Sequence, residues 1–143
     1  MATPQQIPDQ EAPLATTTIA IAPSIPVEKT TSKPKKVVSL PSEVEKQIVK
    51  RLGENHPLVQ VARCESEYRQ FAKDGSVLRG KQNPQDVGVL QINEKYHLAA
   101  SKSLGYNIYT LEGNIDYGEY LYKHKGLKPW SWSSSCWNTT ITD

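Results

Sequence analysis

Apolar residues recur at helical spacing through most of the chain after residue 41. The first two of these patterns predict two consecutive helices. The first is predicted over 42–52, because Ser42 and Glu45 form a capping-box pattern at its start and a glycine follows it. Its apolar positions are spaced three to four residues apart, as on one face of a helix. A second pattern begins near residue 56 and is predicted to end near Arg69.

Two further helical patterns lie in the second half of the chain. One runs from Asn93 to Leu104, and the other covers 111–125. Thr110 is placed to cap the last of these helices, and Gly126 to end it. The segment 129–137, rich in tryptophan and serine, is predicted to be an aromatic loop.

The stretch between the second and third helices has a different pattern. Asp74-Gly75 is a strong hairpin-turn signal, and short apolar runs and further glycines follow it. Residues 70–92 are therefore predicted to form a hairpin or an irregular β region. The fold class that follows is mainly α (α+β), with one small β element between the second and third helices.

Composition separates the first forty residues from the rest. Six of the ten prolines lie there, whereas all eleven aromatic residues lie at or after Tyr68. Such a segment cannot bury enough apolar surface to offset its chain entropy. We therefore predict a disordered linker over 1–40, a folded domain over 41–138 and a flexible tail over 139–143.

Charge and motif content exclude several functional classes. Residues from 41 onward carry 13 basic and 12 acidic side chains, without the basic stripe of a dedicated nucleic-acid-binding domain. No metal-ligand set, phosphate-binding loop or dinucleotide fingerprint is present, so we expect neither a metal nor a cofactor. No apolar run approaches the length of a membrane-spanning helix.

Cys64 and Cys136 bracket nearly the whole predicted domain. In an exported protein they would pair, in a cytosolic one they would be buried free thiols, and a nucleophilic cysteine with a histidine base is a third alternative. We predict the disulfide, and with it a secreted or cell-envelope location. No clear signal peptide is visible, and we expect that such a signal is absent from this sequence.

Glu65 has an unusual setting for a carboxylate. It comes late in an apolar helix, directly after Cys64 and before a β region. A partly buried Glu has its charged form disfavoured, so it can stay protonated near neutral pH and act as a general acid. An ordinary exposed Glu at a helix end is the alternative interpretation.

Three short motifs around Glu65 resemble the lysozyme superfamily. They are Glu-Ser at 65–66, Asp-Gly-Ser at 74–76, and Asp-Val-Gly-Val-Leu-Gln-Ile-Asn at 86–93. Their order resembles soluble lytic transglycosylase (SLT) domains and is also similar to animal-type lysozymes, over roughly residues 57–137. An Asn-Ile pair at 114–115 resembles a helix of the transglycosylases. The resemblance implies a lysozyme-like fold.

The resemblance also implies roles for individual residues. Glu65 matches the general acid, and Ser66 the serine that helps to orient it. The segment around Leu90 and Gln91 matches the floor of a sugar-binding groove. Asn93 is predicted to face that groove or only to cap a helix, and Leu90 to face it or to pack in the core.

The C-terminal segment departs from the transglycosylase pattern. The usual Ala-x-x-Tyr-Asn-x-Gly segment is missing, and Pro129-Trp130-Ser131-Trp132 stands in its place. Trp130 is predicted either to stack on a sugar or to pack around a disulfide. Trp132 and Trp137 are predicted to pack.

The activity that the resemblance implies is cleavage of the β-1,4 bond between N-acetylmuramic acid and N-acetylglucosamine. The preferred hypothesis is a lytic transglycosylase with Glu65 as its one acid and base. The alternatives are a hydrolytic muramidase that uses Asp86 as a second carboxylate, and a peptidoglycan-binding module without activity. Asp86 could equally be a turn-capping residue. The expected partner is a peptidoglycan glycan strand, bound by a monomer.

Overall fold

The computed structural model describes residues 40–141. Residues 1–39 of the predicted linker and 142–143 of the predicted tail lie outside this range. The elements in chain order are α1 (Pro41–Leu52), α2 (Pro57–Ser66), β1 (Asp86–Val87), β2 (Ile92–Asn93), α3 (Glu94–Ser103), α4 (Leu111–Lys125), a 3-10 helix (Lys128–Ser133) and α5 (Ser134–Ile141). The predicted class, mainly helical with one small β element, is confirmed in these residues.

α1 begins one residue earlier than predicted, and for a different reason. Pro41 is its first residue, and Leu40 before it makes no side-chain capping bond. The predicted capping box of Ser42 is therefore not formed. Proline suits the first helical position because its missing N–H would have no partner within the helix.

α2 ends at Ser66 rather than near Arg69. Glu67 and Tyr68 both take the left-handed conformation, with φ of 53° and 60°. The Glu67 N–H returns to the Arg63 carbonyl across 2.9 Å, which closes the last turn. This termination leaves Glu65 in the final turn of α2, where the chain bends away from the helix.

The predicted caps of the next two helices are confirmed. Asn93 accepts a hydrogen bond from the Tyr96 N–H at 3.3 Å and caps α3. Thr110 accepts one from the Gly113 N–H at 3.0 Å and caps α4. Both caps satisfy helix-end N–H groups that lack a partner inside the helix.

The β element is a two-stranded antiparallel sheet. Asp86 pairs with Asn93, and Val87 with Ile92. The predicted turn at 74–76 is present, since Asp74 Oδ1 accepts from the Ser76 N–H at 3.0 Å. Only isolated bridges flank it, so 70–92 is mostly irregular backbone that joins α2 to the sheet.

α4 contributes a fully buried amide to the loop between β1 and β2. Asn114 Nδ2 donates to the Val87 carbonyl at 3.0 Å and to the Ile108 carbonyl at 2.8 Å. Asn114 Oδ1 accepts from the Leu90 N–H at 2.9 Å. The Asn114 amide thus satisfies backbone N–H and C=O groups of the loop that have no partner in a neighbouring strand.

Gln70, which precedes this loop in the sequence as Asn114 follows it, also holds the loop in place. Its Oε1 accepts from the Val89 N–H at 2.8 Å, and its Nε2 donates to the Tyr109 carbonyl at 3.1 Å. Gly88 lies between the two amides with φ +75°, and a Cβ there would lie 2.3 Å from Asn114 Nδ2. Glycine is required at this position by conformation and by space.

The hydrophobic core joins all the helices except α3, of which only the partly buried Leu98 packs against it. Its fully buried members from α1, α2 and α4 include Val44, Ile48, Leu58, Val61, Ile115 and Tyr117. Val87, Val89, Leu90 and Ile92 complete it from the β element.

The C-terminal segment is helical, which corrects the prediction of an aromatic loop. Lys128–Ser133 forms the 3-10 helix and α5 continues to Ile141, so the predicted domain end at 138 falls within α5. A disulfide joins Cys64 of α2 to Cys136 of α5, as the export hypothesis expected. No helix among residues 40–141 is long and apolar enough to cross a membrane.

We expect Gly88→Ala to lower the free energy of unfolding by roughly 3–5 kcal/mol, since it adds a clash to backbone strain. Gly75→Ala is the matched control, because Gly75 also has positive φ but no atom within 4 Å of an added Cβ. The control should lose only about 1–2 kcal/mol. Urea unfolding measures both, and equal losses would contradict the role of Gly88.

Candidate functional site

Two adjoining cavities, of about 680 and 340 Å³, form a cleft beside the end of α2. Both are lined by Glu65, Asn83, Asp86, Gln91 and Trp132. The two cavities are therefore halves of one cleft, and both carboxylates lie at their junction.

The two halves differ in chemistry. The larger, here called the polar half, is lined by charged and polar side chains that include Glu67, Arg69, Arg79, Lys81 and Gln82. The smaller, here called the aromatic half, is lined by rings and apolar side chains that include Ile92, Tyr96, Leu121, Pro129 and Trp130. Such a cleft suits an elongated ligand with both polar groups and apolar faces.

Glu65 is half-buried at the junction of the halves. Burial raises the pKa of its carboxyl above the ordinary value, and the negative charge of Asp86 raises it further. A hydrogen bond from the Ser133 hydroxyl to Oε1, 2.5 Å long, opposes this rise in pKa. The burial effect is the largest, so Glu65 keeps its proton to higher pH than an exposed Glu does.

Asp86 lies in β1 and, like Glu65, lines both halves of the cleft. Its Oδ1 accepts a hydrogen bond from Asn93 Nδ2 at 2.8 Å, and Asn83 Nδ2 lies at 3.4 Å. These amides orient the carboxylate. Asn93 therefore has two roles, as the cap of α3 and as a support for Asp86.

Ser66 is buried behind Glu65. Its hydroxyl lies 2.7 Å from the Val89 carbonyl and accepts from the Arg69 N–H at 3.2 Å. These contacts fasten the last turn of α2 to the loop between β1 and β2, and none of them is to Glu65 itself.

Gln91 lines both halves, at the position where the resemblance placed a groove residue. Its backbone is left-handed, with φ 49°, and its Nε2 donates to the Gly88 carbonyl at 2.9 Å. Left-handed non-glycine residues are costly and cluster at functional sites. Here this conformation turns the chain between the two strands.

Leu90 belongs to the core rather than to the cleft. Its side chain is 1% exposed, and a Cβ at Gly118 would lie 2.2 Å from its Cδ1. Of the two predictions for Leu90, packing in the core is therefore the one that the structure has, and substrate binding by its side chain is not. Its carbonyl accepts the indole N–H of Trp130 at 2.8 Å, a buried contact that holds the C-terminal segment to this loop.

The structure selects one of the two roles predicted for Trp130 and corrects the role predicted for Trp132. Trp130 is 3% exposed and touches the aromatic half only as part of its wall, so packing is its main role. Trp132, predicted to pack, is 99% exposed and lines both halves. In a 3-10 helix, residues two positions apart point in different directions, so one ring faces the core and the other the cleft.

Sequence reasoning also missed Ser133, Asn83 and Tyr96 as residues of the site. Tyr96 is 74% exposed and lines the aromatic half. Ser133 lies in a segment whose sequence predicts a loop, and nothing in that pattern directs its side chain to Glu65. The Trp-Ser-Trp-Ser alternation was the one available signal for a short helix with two different faces.

No group of side chains among residues 40–141 could hold a metal ion. No family model, no curated protein and no solved structure matches the chain.

The raised pKa of Glu65 predicts a pH-dependent cost in stability. The folded protein binds the Glu65 proton more tightly than the unfolded chain does. Protonated Glu65 therefore adds to the free energy of unfolding at low pH. This contribution is lost as the pH rises through the folded-state pKa, above the ordinary Glu value. We expect Glu65→Gln to melt above wild type at neutral pH, with a smaller gain near pH ~4.

Thermal melts at the two pH values measure this difference. Glu67→Gln is the control, because Glu67 is the next carboxylate along the chain and is exposed. A gain for Glu65→Gln that is equal at both pH values, or absent, would contradict the burial cost.

Proposed function

We propose that this chain cleaves the β-1,4 bond between N-acetylmuramic acid and N-acetylglucosamine in peptidoglycan, by hydrolysis. One observation carries the proposal: Glu65 of α2 and Asp86 of β1 both line the two halves of the same cleft. Enzymes that hydrolyse glycosides commonly place two carboxylates about the scissile bond.

The two carboxylates have environments suited to different roles. Glu65, whose pKa burial raises, donates its proton to the glycosidic oxygen as the bond to the anomeric carbon breaks. Asp86, held by Asn93, stabilises the positive charge that develops on the sugar. Water then adds to the anomeric carbon and returns a proton to Glu65.

The walls of the cleft support a glycan as the ligand. Trp132 offers a fully exposed ring, and Tyr96 a largely exposed one. Indole and phenol rings stack on the apolar faces of sugars, while Gln91 and Asn83 can bond to hydroxyl and N-acetyl groups. The motif order around Glu65 supports a lysozyme-like fold and peptidoglycan as the glycan.

Lytic transglycosylation is the second candidate. In that reaction Glu65 alone acts as acid and then base, and the 6-hydroxyl of the muramic acid replaces water. The resemblance of Asn114 to the transglycosylase helix favoured it. Because Asn114 is buried and holds the loop between β1 and β2, its role is structural under either reaction. Hydrolysis is preferred because Asp86 supplies a second carboxylate in the cleft.

The disulfide fits a location outside the reducing cytosol, and peptidoglycan is a substrate of that compartment. We therefore extend the proposal to action in the cell envelope or after secretion. A binding module without activity would keep the cleft but would not need a buried acid.

We expect Glu65→Gln to slow the clearing of a peptidoglycan suspension by roughly 10²–10⁴-fold, because the leaving oxygen loses its proton donor. Glu54→Gln should clear at nearly the wild-type rate, since Glu54 is exposed and lines neither half of the cleft. Equal clearing by wild type and Glu65→Gln would contradict the assignment.

Asp86→Asn separates the two candidate reactions in the same assay. Hydrolysis predicts a loss on the order of 10²-fold, because a charge that stabilises the transition state is removed. Transglycosylation predicts a rate near wild type. If no variant and no wild-type protein clears the suspension but all pellet with the wall, the binding module is favoured instead.

We expect Trp132→Ala to weaken binding of an N-acetylated oligosaccharide about 10-fold, since a ring covered by the sugar becomes a methyl group. Its melting temperature should stay close to wild type, because the side chain is 99% exposed. Leu104→Ala is the control, being an exposed apolar residue outside both halves. Calorimetric titration measures binding, and equal affinities would remove Trp132 from the site.

A further inference from the structure

The C-terminal segment places a hydroxyl directly on the Glu65 carboxylate. Ser133, the last residue of the 3-10 helix, donates from Oγ to Glu65 Oε1 across 2.5 Å. The two residues are 68 positions apart, so the contact exists only because this segment folds back onto α2.

Trp137 fixes the direction in which the Ser133 hydroxyl points. The indole N–H of Trp137 lies 3.1 Å from Ser133 Oγ and 3.1 Å from the Trp130 carbonyl. It occupies a lone pair of the hydroxyl, whose single hydrogen remains for an acceptor. Of the two acceptors within reach, Glu65 Oε1 is closer than the Trp130 carbonyl, at 2.5 against 3.1 Å.

The disulfide lies next to the hydrogen bonds that join Trp137, Ser133 and Glu65. Cys64 is adjacent to Glu65, and its disulfide partner Cys136 is adjacent to Trp137. The disulfide and the Ser133–Glu65 hydrogen bond thus join the same two segments at neighbouring positions. The hydroxyl is held against the carboxylate by the fold and is not an adaptable surface contact.

We propose that Ser133 is a positioning residue for the general acid: its hydroxyl holds Oε1 of Glu65, so that Oε2 is the oxygen that carries and delivers the proton. The catalytic meaning of this inference rests on the proposed function, whereas the hydrogen bond can be tested without any activity. Donation to Oε1 also favours the ionised form of Glu65 and so limits the rise in its pKa.

Other charged groups near Glu65 can also shift its pKa, so a test of Ser133 must leave them unchanged. Asp86 is the charged residue that raises the pKa of Glu65. The 3-10 helix contributes Lys128, and α5 contributes no charged residue. The remaining charged or titratable groups of the cleft are Glu67, Arg69, Arg79, Lys81, Tyr96 and His97. Removing the Ser133 hydroxyl changes none of these charges.

The test is a carboxyl ¹³C NMR titration of the full chain, with the Glu65 signal assigned by its loss in Glu65→Gln. We expect Ser133→Ala to raise the titration midpoint of Glu65 by on the order of 1 pH unit. Ser133→Thr keeps the hydroxyl and should restore most of the difference. Ser135→Ala is the control, because Ser135 is exposed and close in sequence.

An unchanged midpoint in Ser133→Ala would overturn the inference, as would an equal shift in Ser135→Ala. The activity readout is the pH profile of kcat/KM on peptidoglycan. Ser133→Ala should move the alkaline limb to higher pH and lower kcat, because the acid stays protonated longer but is less well placed. A merely structural role would lower activity at every pH without moving that limb.

The two proposals fail in different ways. If the wild type clears no peptidoglycan while Ser133→Ala still moves the titration midpoint, the proposed function is contradicted and the hydrogen bond to Glu65 stands. If the wild type is active and neither midpoint nor limb moves, the role of Ser133 is overturned and the proposed function stands.

Discussion

The buried amides of Gln70 and Asn114 hold the loop 87–90, and the architecture of the cleft depends on this contact. They bond to backbone groups that the two-residue strands leave unpaired, and an unsatisfied buried polar group costs about 1–3 kcal/mol. Two contacts that shape the cleft then attach to carbonyls of this loop, those of Ser66 and Trp130. The end of α2, the sheet and the C-terminal segment therefore meet on one fixed piece of backbone.

This arrangement explains how a small domain keeps an acid partly out of water. Glu65 lies in the last turn of α2, with Ser133 beside it and the disulfide of Cys64 next to it. Burial disfavours its charged form, a cost that the packing of α5 and the disulfide has to offset. A site that works against local stability in this way is typical of catalytic groups, whose pKa must suit their task.

The sequence was sufficient for the parts of the fold that local chemistry decides. The caps Asn93 and Thr110 were predictable because a side-chain oxygen beside helix-end N–H groups has one obvious use. The C-terminal helices were not, because serine and tryptophan have no strong helix preference and tertiary contacts of Trp130 and the disulfide decide their conformation. The exposure of Trp132 was missed for the same reason. Glu65 could be singled out from its neighbours, but its partner Ser133 is 68 residues away and no local pattern marks it.

The central claim is that Glu65 and Asp86 together add water to a glycan bond. The most direct measurement is mass spectrometry of the fragments released from peptidoglycan in H₂¹⁸O. Hydrolysis predicts reducing muramic acid ends that carry one ¹⁸O atom from the solvent. Anhydro ends without ¹⁸O would contradict the two-carboxylate account and leave Glu65 as the only acid and base, and the absence of any released fragment would contradict the enzyme itself.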